Sequence, residues 1–497
     1  MPSKYKTVPH REEDDEVGAT ETLREETAEQ NENAGHHLSA LNVDEEVVDE
    51  GDDTPFTTAT TSLTSSSPSA KHDTPTVGEN GAVQPSEQLV MTVDEAIELL
   101  GMGRFQWLVL TAAGLCFAAD AMQVLLLSFL CEVLRVEWGL TKDESASITS
   151  VLFFGAMIGT LILGPLADKK GRKPVFLVSA TTISFFGMSV GFVGSYWHLL
   201  VLISMVGVGV GGLTVPFDIL AEFLPADARG KNLLMIEYFW TVGVLLVVVL
   251  AYFTLGGEGS HGNWRLFVIL CSLPCWASVF LGYFCVPESP RWLCTVGRCE
   301  EALHIVRNAA AINKLDVETL FPDGCRFEEE DEEESNFCEL FSPRWRKTTI
   351  TLWGAWGAFA FGYYGTIMAI TRIFDNEDDS DGEPDSYNFD YGAIFVSSSA
   401  ELIGTTFAIM SVDVAGRIPL QVLSYSLAGV SVLSLCILAA REASRDILIV
   451  FGFTARIFEM SGSCVSWVST AEILTTEVRT TGMYRAYTYV HCMGYMV

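Results

Sequence analysis

Ten stretches of about 20 apolar residues recur along this chain, each long enough to cross roughly 30 Å of hydrocarbon as a helix. They run over 106–131, 147–167, 174–195, 198–220, 233–255 and 264–286, then over 349–372, 391–412, 418–439 and 447–468. An eleventh, 481–497, is more polar and meets the chain end. Only a bundle of membrane-spanning helices accommodates so many such runs.

Two short polar motifs interrupt the spans, and each occurs twice. GPLADKKGRK carries Gly164, Asp168, Gly171 and Arg172; SVDVAGR repeats D-x-x-G-R as Asp413, Gly416 and Arg417, 245 residues later. AEFLPADARG (Glu222, Arg229) returns as AEILTTEVRT (Glu472, Arg479), offset by 250 residues. The same order at nearly the same offset indicates a duplicated bundle, two six-helix repeats in parallel. Such a design has twelve spans, so the chain reads as eleven with the last helix missing.

The formal charge is not spread evenly along the chain. Of the net −33, about −15 comes from residues 1–90, with 20 acidic and 5 basic side chains. Acidic runs recur at Glu328–Glu334 and at Asp375–Asp390, the latter with eight carboxylates and no Lys or Arg. No basic surface for nucleic acid is present. The twelve cysteines fall mainly in apolar spans, without zinc-site spacing or a disulfide framework, and read as small buried hydrophobes. The polar, acidic N-terminus is unlike a cleavable leader. No Walker motif, catalytic triad, metal set or cofactor signature occurs, so an enzyme is not expected. The alternate-glycine run Gly207, Gly209, Gly211 and Gly212 lies inside a span, where close helix packing explains it.

Residues 1–90 cannot bury enough apolar surface to offset chain entropy and read as a disordered tail. Met91–Leu100 is amphipathic, with Thr92 or Asp94 placed to cap it, and is expected to lie on the membrane surface. It also contains E-x-x-x-L-L (Glu95, Leu99, Leu100), a vesicle-sorting pattern. Lys and Arg set the orientation. One set of loops holds Lys169, Lys170, Arg172, Lys173, Arg229, Lys231, Arg417, Arg479 and Arg485, and 287–348 adds eight more. The other side has Arg135, Lys142, Arg265, Arg372, Arg441 and Arg445. The richer side is cytosolic, which puts the N-terminus and the middle loop inside. The expected division is a cytosolic tail 1–90, a six-helix bundle 91–286, a cytosolic linker 287–348 carrying an amphipathic helix over Glu300–Lys314, and a second, truncated bundle 349–497.

Charged residues inside spans are costly, by several kcal/mol, and usually face a bundle interior or cavity. The candidates for a central substrate or proton cavity are Asp120, Asp218, Glu237, Glu401 and Arg456, the last with Glu459 one turn on. Asp218 and Glu237 fit a gating role as well, and Arg456 is placed to neutralise one of the acids. Acids outnumber bases, so the cavity potential is negative and favours cations. Tyr363, Tyr364, Trp240, Trp353 and Trp356 offer π faces to a cation.

Read together and in order, these motifs resemble the major facilitator superfamily. Gly164 to Arg172 matches its loop between spans two and three, and PESPRWL (Pro287–Leu293) closes span six as in sugar-porter and organic-ion members. RFQW, AADAM, GVGVGG before AEFLP, IEYFWTVG, NWR and FGYYG resemble the synaptic-vesicle-2-related group, with its organic cation/carnitine-like and niacin-permease relatives. The resemblance covers roughly 91–482. It implies an all-α membrane protein of the major facilitator fold that moves small organic ions by alternating access. It also implies that Asp168, Gly171 and Arg172, with Glu222 and Arg229, form a latch repeated by Asp413, Gly416, Arg417, Glu472 and Arg479. Ile203, Gln123 and Val247 stand where relatives carry charged residues, so a proton-coupling scheme does not transfer directly. An organic cation or zwitterion is the favoured substrate and H+ the optional coupling ion. Alternatives are an organic anion or sugar, or a vesicle-type protein that binds partners. A monomer in a lipid bilayer is expected, in either the plasma membrane or an internal membrane.

Overall fold

The computed structural model describes residues 89–226, 229–256, 262–328, 340–373 and 389–473. The tail, Arg479, the eleventh span and most of the two downstream acidic runs lie outside the described residues.

The first six spans are helical. They comprise α2 (Arg104–Trp138), α3 (Lys142–Lys170), α4 (Arg172–Val190), α5 with α6 (Tyr196–Val210, Thr214–Glu222), α7 with α8 (Arg229–Leu234, Ile236–Leu255) and α9 (Trp264–Cys285). Four more follow: α13 (Arg346–Ile373), α14 (Tyr391–Ala415), α15 (Arg417–Ala439) and α16 (Arg445–Ile473). Among the described residues, nine of these stretches are long and apolar enough to cross a membrane. The exception is α13, whose Gly, Thr, Trp and Tyr residues lower its hydropathy; its 28 residues still extend ~42 Å at ~1.5 Å each.

α2 is buried almost throughout and packs on α8 and α9. α3 packs on α5, and α4 on α5 and α9. The later helices pack as α14 and α15 on α16. The two sets meet through α8 with α14 and α2 with α13. Gly155 and Gly159 of α3 and Gly207 of α5 bring backbones together so closely that a Cβ at any of them would strike a carbonyl oxygen of the facing helix.

Before the bundle, α1 (Val93–Leu100) is closed by a capping box: Glu95 N donates to Thr92 Oγ1 at 3.2 Å and Thr92 N to Glu95 Oε2 at 3.0 Å. Its apolar face does not rest on a bilayer. Val93, Ala96, Ile97 and Leu100 are buried in protein, and α11 (Cys299–Ile312) packs against the helix. Leu100 is therefore withdrawn while Leu99 is exposed, so the dileucine-type pattern is not presented as a pair. β1 (Val90–Met91) pairs in parallel with β2 (Arg326–Phe327), a small exception to the all-α architecture. Asn313, between α11 and the short α12 (Val317–Leu320), accepts from Phe105 N at 2.8 Å and donates to Gln106 Oε1 at 2.9 Å, which ties the middle segment to the start of α2.

Candidate functional site

The repeated D-x-x-G-R motifs fold alike. Gly171 ends α3 and starts α4 at φ +98°, and Gly416 ends α14 and starts α15 at φ +80°. Only glycine takes that left-handed region without strain, so each arginine opens the next helix directly beneath the preceding aspartate.

Arg172 lies 2.7 Å from Glu222, 3.3 Å from Asp218 and 3.8 Å from Asp168. Arg417 donates through Nε and Nη2 to both oxygens of Glu472 at 2.8 and 3.0 Å and lies 3.4 Å from Asp413. In both repeats the arginine of one motif therefore holds the glutamate of the other. Gly164 lies on the buried side of α3, one turn before Asp168. Arg229 donates to the Leu224 carbonyl, ion-pairs with Asp94 at 3.6 Å and is near enough to Glu222 to feel its charge. Asp218, counted with the cavity acids, sits here because α6 ends beside α4. Lys231 Nζ reaches Asp413 at 2.9 Å, from the first helix set to the second. Glu288 of PESPR accepts from the Arg172 and Lys173 amides at 2.8 and 3.2 Å, a carboxylate on the first turn of α4. Trp292 Nε1 donates to the Asp168 carbonyl at 2.7 Å.

A second cluster lies midway along the spans, closed to solvent. Trp240 Nε1 of α8 donates to Tyr363 Oη of α13 at 2.6 Å, and Tyr363 donates to Glu401 Oε1 of α14 at 2.7 Å. Arg456 of α16 ion-pairs with Glu401 at 2.8 Å and stands 5.3 Å from the Tyr363 ring centroid. Thr366 donates to Glu459 at 2.7 Å. Asp120, Glu237, Glu401, Glu459 and Arg456 are all at most 4% exposed. Each keeps buried polar atoms without a hydrogen bond: Asp120 Oδ1, Glu237 Oε1, Glu401 Oε2, Glu459 Oε2, and Arg456 Nε and Nη2. Glu237 is near enough to Glu401 to feel its charge, and Asp120 is likewise near Tyr364. Glu237 thus joins the central group and not the latch. Of the aromatic candidates, Trp240, Tyr363 and Tyr364 belong to this cluster. Trp356 instead bonds Thr470 at 2.9 Å and packs edge-on to Trp467.

Aromatic contacts between the two helix sets close the cluster on either side. Toward the latch, Trp467 meets Phe217 at 4.6 Å and Phe117 at 6.0 Å. At the opposite end, Phe129 meets Phe389 at 5.0 Å, and Tyr391 Oη donates to the Gly256 carbonyl at 3.1 Å. Trp467 carries no motif that would single it out in the sequence, and Lys231 and Asp94 stand out there only as a loop cation and a cap candidate. Glu288 does, through PESPR.

A repeated helix bundle with motif-paired latches around buried charges is the architecture of a major facilitator transporter, not of an enzyme. The chain belongs to the sugar (and other) transporter family, whose model matches residues 104–496. It is 31% identical to the synaptic vesicle 2-related protein of Xenopus laevis over 82% of this chain and 75% of that one. It is also 31% identical to organic cation/carnitine transporter 7 of Arabidopsis thaliana, over 79% of this chain and 84% of the relative. Among solved structures, the proton:xylose symporter XylE shares the fold at a TM-score of 0.60 and 20% identity, over 81% of this chain and 87% of that one. The protein is a multi-pass integral membrane transporter.

Proposed function

We propose that this protein moves a small organic cation or zwitterion by alternating access, with H+ as the coupling ion. The observation that carries this reading is the charge of the buried centre. Four buried carboxylates, Asp120, Glu237, Glu401 and Glu459, accompany one buried guanidinium, Arg456, and Glu401 is its ion-pair partner. Each of these carboxylates, when ionised, attracts a cation and repels a simple anion, and when protonated it carries the proton that such a cation would displace. Trp240, Tyr363 and Tyr364 add aromatic faces for a desolvated cation. Asp120 stands apart from the Arg456 pair, so a proton or a substrate cation can neutralise it without breaking that pair.

The working division is a bundle over 91–286 and a second from 349, joined by the segment 287–348. The lysine and arginine count supports a cytosolic latch and N-terminus. A relative named for the synaptic vesicle favours an internal membrane. The unaligned N–H groups of Arg456 support one alternative, an organic anion held at that guanidinium.

The test is uptake by membranes containing the full-length protein, across a pH step, of labelled organic cations, zwitterions, nicotinate and xylose. Cation or zwitterion uptake that depends on the pH step and is lost in Asp120→Asn supports the reading. Nicotinate uptake lost in Arg456→Gln supports the alternative. No uptake of any compound by correctly inserted protein overturns both.

A further inference from the structure

The contacts of Asp94 lie outside both latches yet reach each of them. Its Oδ1 accepts from Arg291 Nη2 and is 3.6 Å from Arg229 Nη2. Arg291 belongs to α10 (Pro290–Thr295), capped by Ser289, whose Oγ accepts from Trp292 N at 3.1 Å. The next residue, Trp292, holds the Asp168 carbonyl of the first latch. Arg229 opens α7. Two residues on, Lys231 makes the ion pair to Asp413 of the second latch, and a Cβ placed on Gly230 would stand 3.8 Å from Glu472 and from Val468. One carboxylate thus joins α10, which touches the first latch, to α7, which crosses to the second.

The element that carries Asp94 is itself anchored. The α1 face is buried on α11. Arg326 N donates to the Leu89 carbonyl at 2.9 Å, and Glu328 N to the Met91 carbonyl at 3.1 Å. The capping box holds the first turn, where Asp94 projects. Two cations, Arg229 and Arg291, would otherwise repel each other across the α7–α10 gap, and Asp94 neutralises that repulsion.

We propose that residues 89–100 are a clamp on the latch face, and that Asp94 is a positioning residue that holds α7 so that Lys231 meets Asp413. The clamp favours the state closed on that face. It lies outside the substrate centre and rests only on the alternating-access fold, so its test needs no known substrate.

The test uses full-length protein in membranes, with its own cysteines replaced and one reporter cysteine added. Val468→Cys reports on the latch face, beside Gly230. Ser128→Cys reports on the opposite side, where Ser128 Oγ contacts Met368 Sδ of α13 at 3.3 Å. A membrane-impermeant maleimide is applied to each face. Asp94→Asn is expected to raise labelling of Val468→Cys about three-fold, within what a partly exposed ion pair can supply, and to lower labelling of Ser128→Cys. Asp94→Glu should behave as the parent. Asp94→Asn with Lys231→Gln should match Lys231→Gln alone, because both act through one contact. If Asp94→Asn fails to insert, Arg229→Gln removes the ion pair that holds α7 and carries the same expectation. Unchanged labelling, increased labelling at both reporters, or additive effects of the two substitutions would overturn the proposal.

Discussion

Arg172 Nε lies 2.7 Å from Glu222 Oε1, and the repeat reproduces that pair as Arg417 with Glu472 at 2.8 Å. The surroundings differ. Arg172 is 13% exposed and meets three carboxylates, whereas Arg417 is 35% exposed and holds Glu472 with a two-pronged grip. Arg417→Lys keeps the charge and loses the fork. At this exposure the stability loss should be small, about 0–1 kcal/mol. The state balance should move more, seen as increased maleimide labelling at Val468→Cys on the latch face without a matching fall in melting temperature.

The two left-handed glycines allow a graded comparison. Alanine at Gly171 or Gly416 costs about 1–3 kcal/mol for a positive-φ, extended backbone that is essentially reserved to glycine. At Gly171 the new Cβ also strikes the Glu288 carboxylate, while at Gly416 the nearest atom, Pro419 Cδ, is 3.8 Å away. Gly171→Ala should therefore lower the melting temperature of the purified protein more than Gly416→Ala. Equal losses would mean that Glu288 yields at no cost.

Glu401 and Arg456 are buried at 0% and 2% exposure. Removing one partner strands a charge, at about 3–5 kcal/mol in general. Glu401→Gln and Arg456→Gln should each destabilise strongly, and the double variant should recover part of the loss. Thermal unfolding of the four proteins in one detergent measures this. Strict additivity would show that the pair contributes no coupling.

Asp120→Asn removes the carboxylate that stands apart from that pair. Insertion and melting temperature should stay near those of the parent, because Asp120 Oδ1 has no hydrogen bond to lose. Uptake across a pH step should fall by about ten-fold or more, equivalent to ~1.4 kcal/mol in the barrier. Full uptake with an unchanged pH response would place proton exchange at Glu237 or Glu459.

Much of the scaffold is legible from the chain alone. Hydropathy blocks place the described spans to within a few residues, except that α2 extends past 131 to Trp138, α3 begins at Lys142 and not 147, α4 ends at Val190 and not 195, and α16 extends past 468 to Ile473. Thr92 was readable as a cap because capping is a local hydrogen bond. The central candidates Asp120, Glu237, Glu401 and Arg456 stand out because a charge within an apolar run is conspicuous wherever it folds. Met91–Leu100 misleads for the complementary reason. An apolar stripe states that a face is covered, not whether lipid or protein covers it, and here α11 does.

The linear order of residues determined the spans, the duplication and the types of side chain available at each end. These follow from properties within a few turns of helix: hydropathy, caps and the glycine turns. Tertiary structure alone decided the pairing. Glu222 takes Arg172 in preference to the nearer-in-sequence Arg229; Arg229 turns to Asp94; Lys231 crosses to Asp413; and Tyr363 bridges Trp240 to Glu401. Several cations and acids compete at each end, and partner choice depends on distances of a few ångströms. Those distances are set by how whole helices pack, and no local pattern in the sequence encodes them.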